Sequence, residues 1–282
     1  MNVSLSDNQA FRKAASTSGN AMSSTVVIKY GGHAMENAEL GAAFGSDLSR
    51  LAGGGTDFVV VHGGGPQISA LLRRLDIPSR FADGLRVTDE AAMEAVEMVL
   101  CGQVNKAVVS ALARRGVKAA GISGRDGSLL QAVIRNPDLG LVGDVQQVNP
   151  ALIHCLLGGG FVPVVAPVAT GPAGQALNIN ADTAAGMLAG ALKADYFVLI
   201  SDVPGVLDAH GELLPVLTGK DCDRLRHEGV ISGGMIPKVE SCLNALAHGC
   251  QRALILDGRA PSSLARYLQD GEALGTAVIP HD

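Results

Sequence analysis

Short apolar runs rich in strand-forming residues alternate along the chain with longer stretches whose apolar residues recur at helical spacing. The runs "TVVIK", "FVVVHGGG", "FVPVVAPV", "DYFVLISDVPG" and "RALILDG" predict strands. Met93, Val96, Val99, Leu100 and Val104 predict a helix that Thr88 caps, with Asp89 and Glu90 in its first turn. Pro66 predicts a second helix start, Asp182 caps a third through "TAAGMLAGAL", and Pro237 starts a fourth beside Lys238. This alternation predicts an α/β fold, a largely parallel sheet covered by helices. Residues 1–24, ending in "STSGNAMSS", hold no periodic apolar face and are expected to form a polar tail or linker.

Composition narrows the partners. Of 282 residues 47% are hydrophobic, ample for one large α/β domain or two lobes around a buried core. A net charge of −5 argues against a nucleic-acid surface, and no tryptophan with 3% aromatics argues against base-stacking platforms. The 36 glycines favour binding turns lined by backbone, and the expected partner is a small molecule. Cys101, Cys155, Cys222, Cys242 and Cys250 form no CxxC pair, so a zinc site or disulfide framework is not expected and a reducing cytoplasm fits. No apolar run reaches the roughly 18 residues of a membrane span, and the N-terminus carries no secretory pattern.

The candidate chemistry sits where predicted strands end. In open parallel sheets the ligand crevice lies beyond the carboxyl ends of the strands. Lys29-Tyr30-Gly31-Gly32, His62-Gly63-Gly64-Gly65, Ser201-Asp202 and Asp257-Gly258-Arg259 each close an apolar run. A lysine beside two glycines suits an anion, because unhindered amides and a mobile ammonium both approach phosphate oxygens. A strand-ending surface lysine before a tight turn is the plain alternative. Gly63, Gly64 and Gly65 ahead of Pro66 set several amides at a helix N-terminus. Arg86 precedes a helix, where its guanidinium either clamps a carboxylate or is simply solvated. Asn178, Asn180 and Asp182 bring amide donors beside a carboxylate, or only cap a helix. Lys238 is a second lysine flanked by glycines, and two lysines with an aspartate form a phosphoryl-transfer set. Neither GxxxxGK[ST], GxGxxG nor HExxH occurs, so the P-loop, dinucleotide-fold and zincin readings fail, and His62 reads as a capping or core residue.

Taken in order, "KYGG", "HGGGPQ", "GLRVTD", "EMVLCGQVNK", "NINADTAAG", "SDVPGVL", "GGMIPKV" and "DGR" resemble the acetylglutamate kinases of the amino acid kinase family, over about Thr25 to Val278. The resemblance implies an open αβα sandwich with a mostly parallel central sheet, its lobe of about 25–175 taking acetylglutamate and its lobe of about 176–282 taking ATP. It implies ATP-dependent phosphorylation of the side-chain carboxylate of N-acetyl-L-glutamate, the second step of arginine biosynthesis, with magnesium carried in with ATP. Lys29 and Lys238 would flank the transferring phosphoryl group, with Asp182 holding both. No base is required, because the attacking carboxylate is already ionised at neutral pH. Gly31 and Gly32, with Ser201, Asp202 and Gly205, would lie on the nucleotide side. Gly64, Gly65, Arg86, Asn178 and Asn180 would hold acetylglutamate, Arg86 on its α-carboxylate and Asn178 on its acetylamino group. A cytoplasmic homo-oligomer is implied, with a dimer favoured and a nitrogen-signalling regulatory protein as a candidate partner.

Two positions depart from the family pattern: His33 stands where asparagine is frequent, and Arg125 where lysine is. Arginine-inhibited members carry an apolar N-terminal helix, whereas here only Leu5, Ala10, Phe11, Ala14 and Ala15 offer an apolar stripe. Weak or absent arginine inhibition is therefore expected. Two other readings share the pattern: a paralogue acting on aminoadipate or glutamate attached to a carrier protein, and a non-catalytic amino-acid sensor. The acidic chain shows no basic run to meet a carrier, and a sensor has no use for Lys29, Lys238 and Asp182 together.

Overall fold

The computed structural model describes residues 24–32, 35, 37–82 and 84–280. Its strands are β1 (Ser24–Tyr30), β2 (Thr56–His62), β3 (Arg80–Ala82), β4 (Leu85–Val87), β5 (Ala119–Ser123), β6 (Leu130–Ile134), β7 (Gly143–Val148), β8 (Val162–Ala166), β9 (Val168–Thr170), β10 (Ala176–Asn178), β11 (Tyr196–Ser201), β12 (Val216–Thr218), β13 (Ala253–Asp257) and β14 (Thr276–Ile279). The longer helices are α1 (Ala38–Ala52), α2 (Gly65–Arg74), α3 (Glu90–Ala113), α4 (Ala151–Gly158), α5 (Ala181–Ala191), α6 (Gly219–His227) and α7 (Met235–Ala247).

The central sheet has the order β12-β14-β13-β11-β1-β2-β8-β5. Every neighbouring pair is parallel except β13 and β14. The chain leaves β1 toward β2 on one side and returns to β11 on the other, so the carboxyl ends of β1, β2 and β11 flank the point where strand order reverses, where open sheets bind ligands. A smaller sheet, β10-β9-β6-β7, and the β3-β4 hairpin complete the strands among the described residues.

Successive side chains of a strand face opposite ways, and β1 divides accordingly. Val26, Ile28 and Tyr30 join one core cluster, with Leu48, Leu72, Val96 and Leu112 of the covering helices. Val27 joins the other, with Leu188 of α5 and Val239 of α7. Lys29 has the parity of Val27, so the strand delivers its ammonium to the α5/α7 face. The same alternation puts Phe58 and Val60 of β2 on the first face and Val59 and Val61 on the second.

Several local expectations are corrected. "FVPVVAPV" is two strands in two sheets: Pro167, which has no N–H to donate, separates β8 from β9. Asp89, not Thr88, caps α3, accepting from the amide of Ala92 at 2.8 Å. Asn180, not Asp182, caps α5, accepting from the amides of Asp182 and Thr183 at 2.9 and 3.1 Å. Helix α7 starts at Met235 behind Gly234, which puts Lys238 inside its first turns rather than ahead of it. Helix α3 is long, with a mean hydropathy of 1.3 over its most apolar window, but it is a core helix: Val99, Leu100, Val104, Val108 and Leu112 are all buried. Its middle, Met98–Val104, is wound as a π-helix. The expected tail lies outside the described residues up to residue 23, as do Leu5, Ala10, Phe11, Ala14, Ala15 and His33, while Ser24 already belongs to β1. The expected lobe boundary at 175/176 falls in the β9-β10 turn, closed by a bond from Gly171 N–H to the Gln175 carbonyl at 2.8 Å.

Candidate active site

Lys29, Lys238 and Asp182, which three separate elements carry, meet at the carboxyl end of β1. Lys29 Nζ lies 3.1 Å from Asp182 Oδ1 and Lys238 Nζ 3.3 Å from Asp182 Oδ2, so each carboxylate oxygen takes one ammonium. The Asp182 side chain is 9% exposed, those of Lys29 and Lys238 13% and 22%, so the carboxylate is beneath and the cations reach solvent. Burial would raise the Asp182 pKa, but attraction from Lys29 and Lys238 outweighs it and holds the group below the usual carboxylate range. Because Asn180 does the capping, both Asp182 oxygens remain available to the lysines, and a carboxylate in a helix's first turn also meets the positive end of its dipole. The approach of α5 to α7 is close because Gly186 and Gly190 carry no side chain: a Cβ at Gly186 would sit 2.8 Å from the Ser241 carbonyl oxygen, and one at Gly190 would overlap the Cβ of His248.

The two glycine turns adjoin. Gly63 N–H donates to the Tyr30 carbonyl at 2.9 Å, tying the end of β2 to the end of β1. Gly32 takes φ +63°, and a Cβ there would meet Asp202 Oδ1 at 2.5 Å, so the β1 turn and the residue after β11 are in contact. Gly31 packs on its own lysine, a Cβ there lying 3.0 Å from Lys29 Nζ. Gly64 packs against α3, a Cβ there falling 2.6 Å from the terminal methyl Cδ2 of Leu100, whereas Gly65 faces open space. Ser201 is buried at the end of β11, its carbonyl accepting from Gly258 N–H at 2.7 Å. Gly205 packs against Thr276 and Leu213, a structural demand on its side.

The third group lines a cavity of about 180 Å³ with Gly63, Gly64, Gly65, Arg86, Asn178 and Asn180 on its walls. That is below the roughly 300–1,000 Å³ of drug-sized sites, a scale suited to a small acid rather than a nucleotide. Arg86 is buried, where it donates to Ser69 Oγ at 2.8 Å, to the Gly65 carbonyl at 3.1 Å and to Ser79 Oγ, and it lies 4.6 Å from the Phe81 ring centroid. Burial lowers its pKa, yet a guanidinium stays charged, and no carboxylate neutralises it among the described residues. Asn178 Nδ2 donates to Thr88 Oγ1 at 3.1 Å, so its amide oxygen is left as an acceptor; Asn180 has the opposite assignment, its oxygen capping α5. A larger cavity, about 590 Å³ between α1 and α3, touches none of Lys29, Asp182 and Lys238.

Sequence reasoning missed two buried polar residues behind these walls. Thr88 donates to the Arg86 carbonyl at 2.7 Å and supports Asn178. Asn105 meets His62 Nε2 at 3.2 Å and the Val164 carbonyl at 2.9 Å. A polar residue at a buried helical phase, as Asn105 is three residues before Val108 and seven before Leu112, was the available signal. His62 is a core residue as expected; burial pushes its imidazole down to about 4, so it is neutral. Arg125 pairs with Glu97 and donates to the Gly174 carbonyl at 3.2 Å, outside the lysine–aspartate cluster.

The model of the amino acid kinase family matches residues 24–257. The chain is 50% identical over 266 residues to an acetylglutamate kinase of Gluconacetobacter diazotrophicus, covering 90% of this chain and 85% of that one. It is 49% identical over 267 residues to an acetylglutamate kinase of Gluconobacter oxydans, covering 90% of each. The solved structure of smu.665 from Streptococcus mutans UA159 superposes with a TM-score of 0.78 at 31% identity, over 90% of this chain and 98% of that one.

Proposed function

From the premise that this chain belongs to the amino acid kinase family, we infer that it is a phosphotransferase that moves the γ-phosphoryl group of ATP onto the side-chain carboxylate of N-acetyl-L-glutamate. The products are N-acetylglutamyl 5-phosphate and ADP, a step of arginine biosynthesis. The observation that carries the site assignment is the pair of lysines on opposite oxygens of the buried Asp182, beside the two joined glycine turns.

In this reading the Arg86 cavity holds acetylglutamate. The guanidinium takes the α-carboxylate, and the Asn178 oxygen accepts from the acetylamino N–H. Amides of Gly64 and Gly65 face the reacting end. The nucleotide approaches from the β11 side, along Gly31, Gly32, Ser201, Asp202 and Gly205. Magnesium arrives bound to the ATP phosphates as part of that substrate and draws charge from them. The attacking carboxylate is ionised, so no side chain needs to remove a proton; Lys29 and Lys238 align the donor and acceptor oxygens and neutralise charge as it shifts to the leaving ADP. Asp182, buried beneath them, holds the ammonium groups apart at fixed positions and offsets their mutual repulsion. We place the enzyme in the cytoplasm as a homodimer.

ADP release with acetylglutamate, free glutamate, aspartate and carbamate, together with hydroxylamine trapping of the acyl phosphate, tests the assignment. Acetylglutamate is expected to be turned over and trapped, with free glutamate much poorer because its charged ammonium must be desolvated against a site shaped for a neutral amide. Equal kcat/KM for the two acids overturns the substrate assignment.

A further inference from the structure

We propose that His62 and Asn105 are positioning residues that aim the Gly64 amide at the acid substrate; this rests on the Arg86 cavity being the acetylglutamate site. A chain of hydrogen bonds with one consistent direction runs from the surface to the glycine turn. Lys106 Nζ, which can only donate, lies 3.0 Å from Asn105 Oδ1 and 3.1 Å from the Gly121 carbonyl, which identifies the oxygen end of the Asn105 amide. The other end, Nδ2, therefore donates, and it faces His62 Nε2 at 3.2 Å and the carbonyls of Val164 and Ile122 at 2.9 and 3.2 Å. His62 Nε2 is then the bare nitrogen, and the ring proton belongs to Nδ1, 2.8 Å from the Gly63 carbonyl. A carbonyl accepts only, so both ends of the imidazole demand the same tautomer.

The consequence falls on the next peptide. The unit joining Gly63 to Gly64 is planar, with its N–H directed opposite to its C=O. With the carbonyl held by the buried ring, the Gly64 N–H is turned away from His62, in a peptide whose two glycines line the cavity together with Gly65. No described residue takes that N–H. A bond between two glycines is where a peptide flip meets least steric resistance, so an external hold on its orientation has something to do. Gly121 leaves room for the arrangement, because a Cβ there would overlap Asn105 Oδ1.

Asparagine at position 62 keeps a donor near the place of Nδ1, whereas glutamine keeps a polar group near the place of Nε2. His62→Asn is expected to hold KM for acetylglutamate within about threefold, while His62→Gln raises it roughly tenfold, the scale of one lost hydrogen bond, with KM for ATP unchanged. Asn105→Asp sets an acceptor opposite Nε2 and is expected to move the ring proton there and raise the same KM. Nitrogen NMR of the unmodified protein without substrate should show the Nδ1–H tautomer at His62, assigned by its loss in His62→Asn. An Nε2–H tautomer, or equal KM in folded His62→Asn and His62→Gln, overturns the proposal. Should the unmodified protein prefer a different acid, the functional reading fails by itself and the KM contrast is read on that acid.

Discussion

Lys29 Nζ and Asp182 Oδ1 stand 3.1 Å apart at the carboxyl end of the central strand, and the second carboxylate oxygen is taken by Lys238. A charge that matters most in the transition state shows in kcat rather than in KM. Lys29→Ala and Lys238→Ala are each expected to lower kcat on the order of 100-fold, the scale of one lost charge-stabilising donor, with smaller changes in either KM. Steady-state kinetics in both substrates checks this; a kcat within a few-fold of the parent removes the lysine concerned from its role.

Asp182 links the site to stability. Its folded pKa is depressed by the two ammonium groups against the opposing effect of burial. Its ionised form therefore stabilises the fold above the unfolded carboxylate pKa, about 3.9, and that contribution is lost as pH falls through the lower folded value. Asp182→Asn lacks the contribution at every pH. Urea midpoints of parent and variant are expected to differ most at about pH 6, above the unfolded carboxylate value, and the gap to shrink progressively as the pH falls below that value. A constant gap across that window contradicts the pairing.

Arg86 spends part of its donor set on Ser69, Ser79 and the Gly65 carbonyl, and no carboxylate among the described residues neutralises its charge beside the cavity. Lysine would retain the charge but not the fork. Arg86→Lys is expected to raise KM for acetylglutamate by roughly tenfold or more, with KM for ATP little altered. A rise confined to ATP would move Arg86 to the nucleotide side.

Oligomeric state supplies a separate measurement. Phe11 is the one large apolar side chain in the short N-terminal stripe, and burying it provides about 2 to 3 kcal/mol, thin support for contact between dimers. A dimer insensitive to arginine is the expected outcome of light scattering and activity titration at millimolar arginine. A hexamer whose activity falls with arginine overturns it.

Much of this was legible in the chain because the strands are strongly marked and the reactive groups sit at their ends. Val26, Val27 and Ile28 announce β1, and its alternation sends Lys29 to one face whatever the loops do. What sequence could not show was competition between neighbours for one job. Thr88 and Asp89 are both capping types, as are Asn180 and Asp182, and tertiary contacts decided each case: Thr88 is drawn to Arg86 and Asn178, and Asp182 to the lysines. The Asn105 relay is not legible in sequence because its partners, Val164, Ile122 and His62, are distant along the chain and two of them offer only backbone. Pro167 is the readable sign that "FVPVVAPV" changes sheets, a single imino acid inside an otherwise apolar run.

The glycine pair of α5 gives the site a reach beyond the residues that touch a ligand. Lys238 and Asp182 are spaced by the contact of two helices, and that contact has no room for a methyl group at Gly186, where the obstacle is the rigid backbone carbonyl of Ser241. Mutational tolerance here should therefore follow helix spacing rather than distance from the chemistry. In a saturation scan read by growth without arginine, Gly186 and Gly190 are expected to admit almost as few replacements as Lys238, while neighbouring Met187, half-buried on another side of the same helix, admits many. Free substitution at Gly186 would show that the lysine keeps its place by other means.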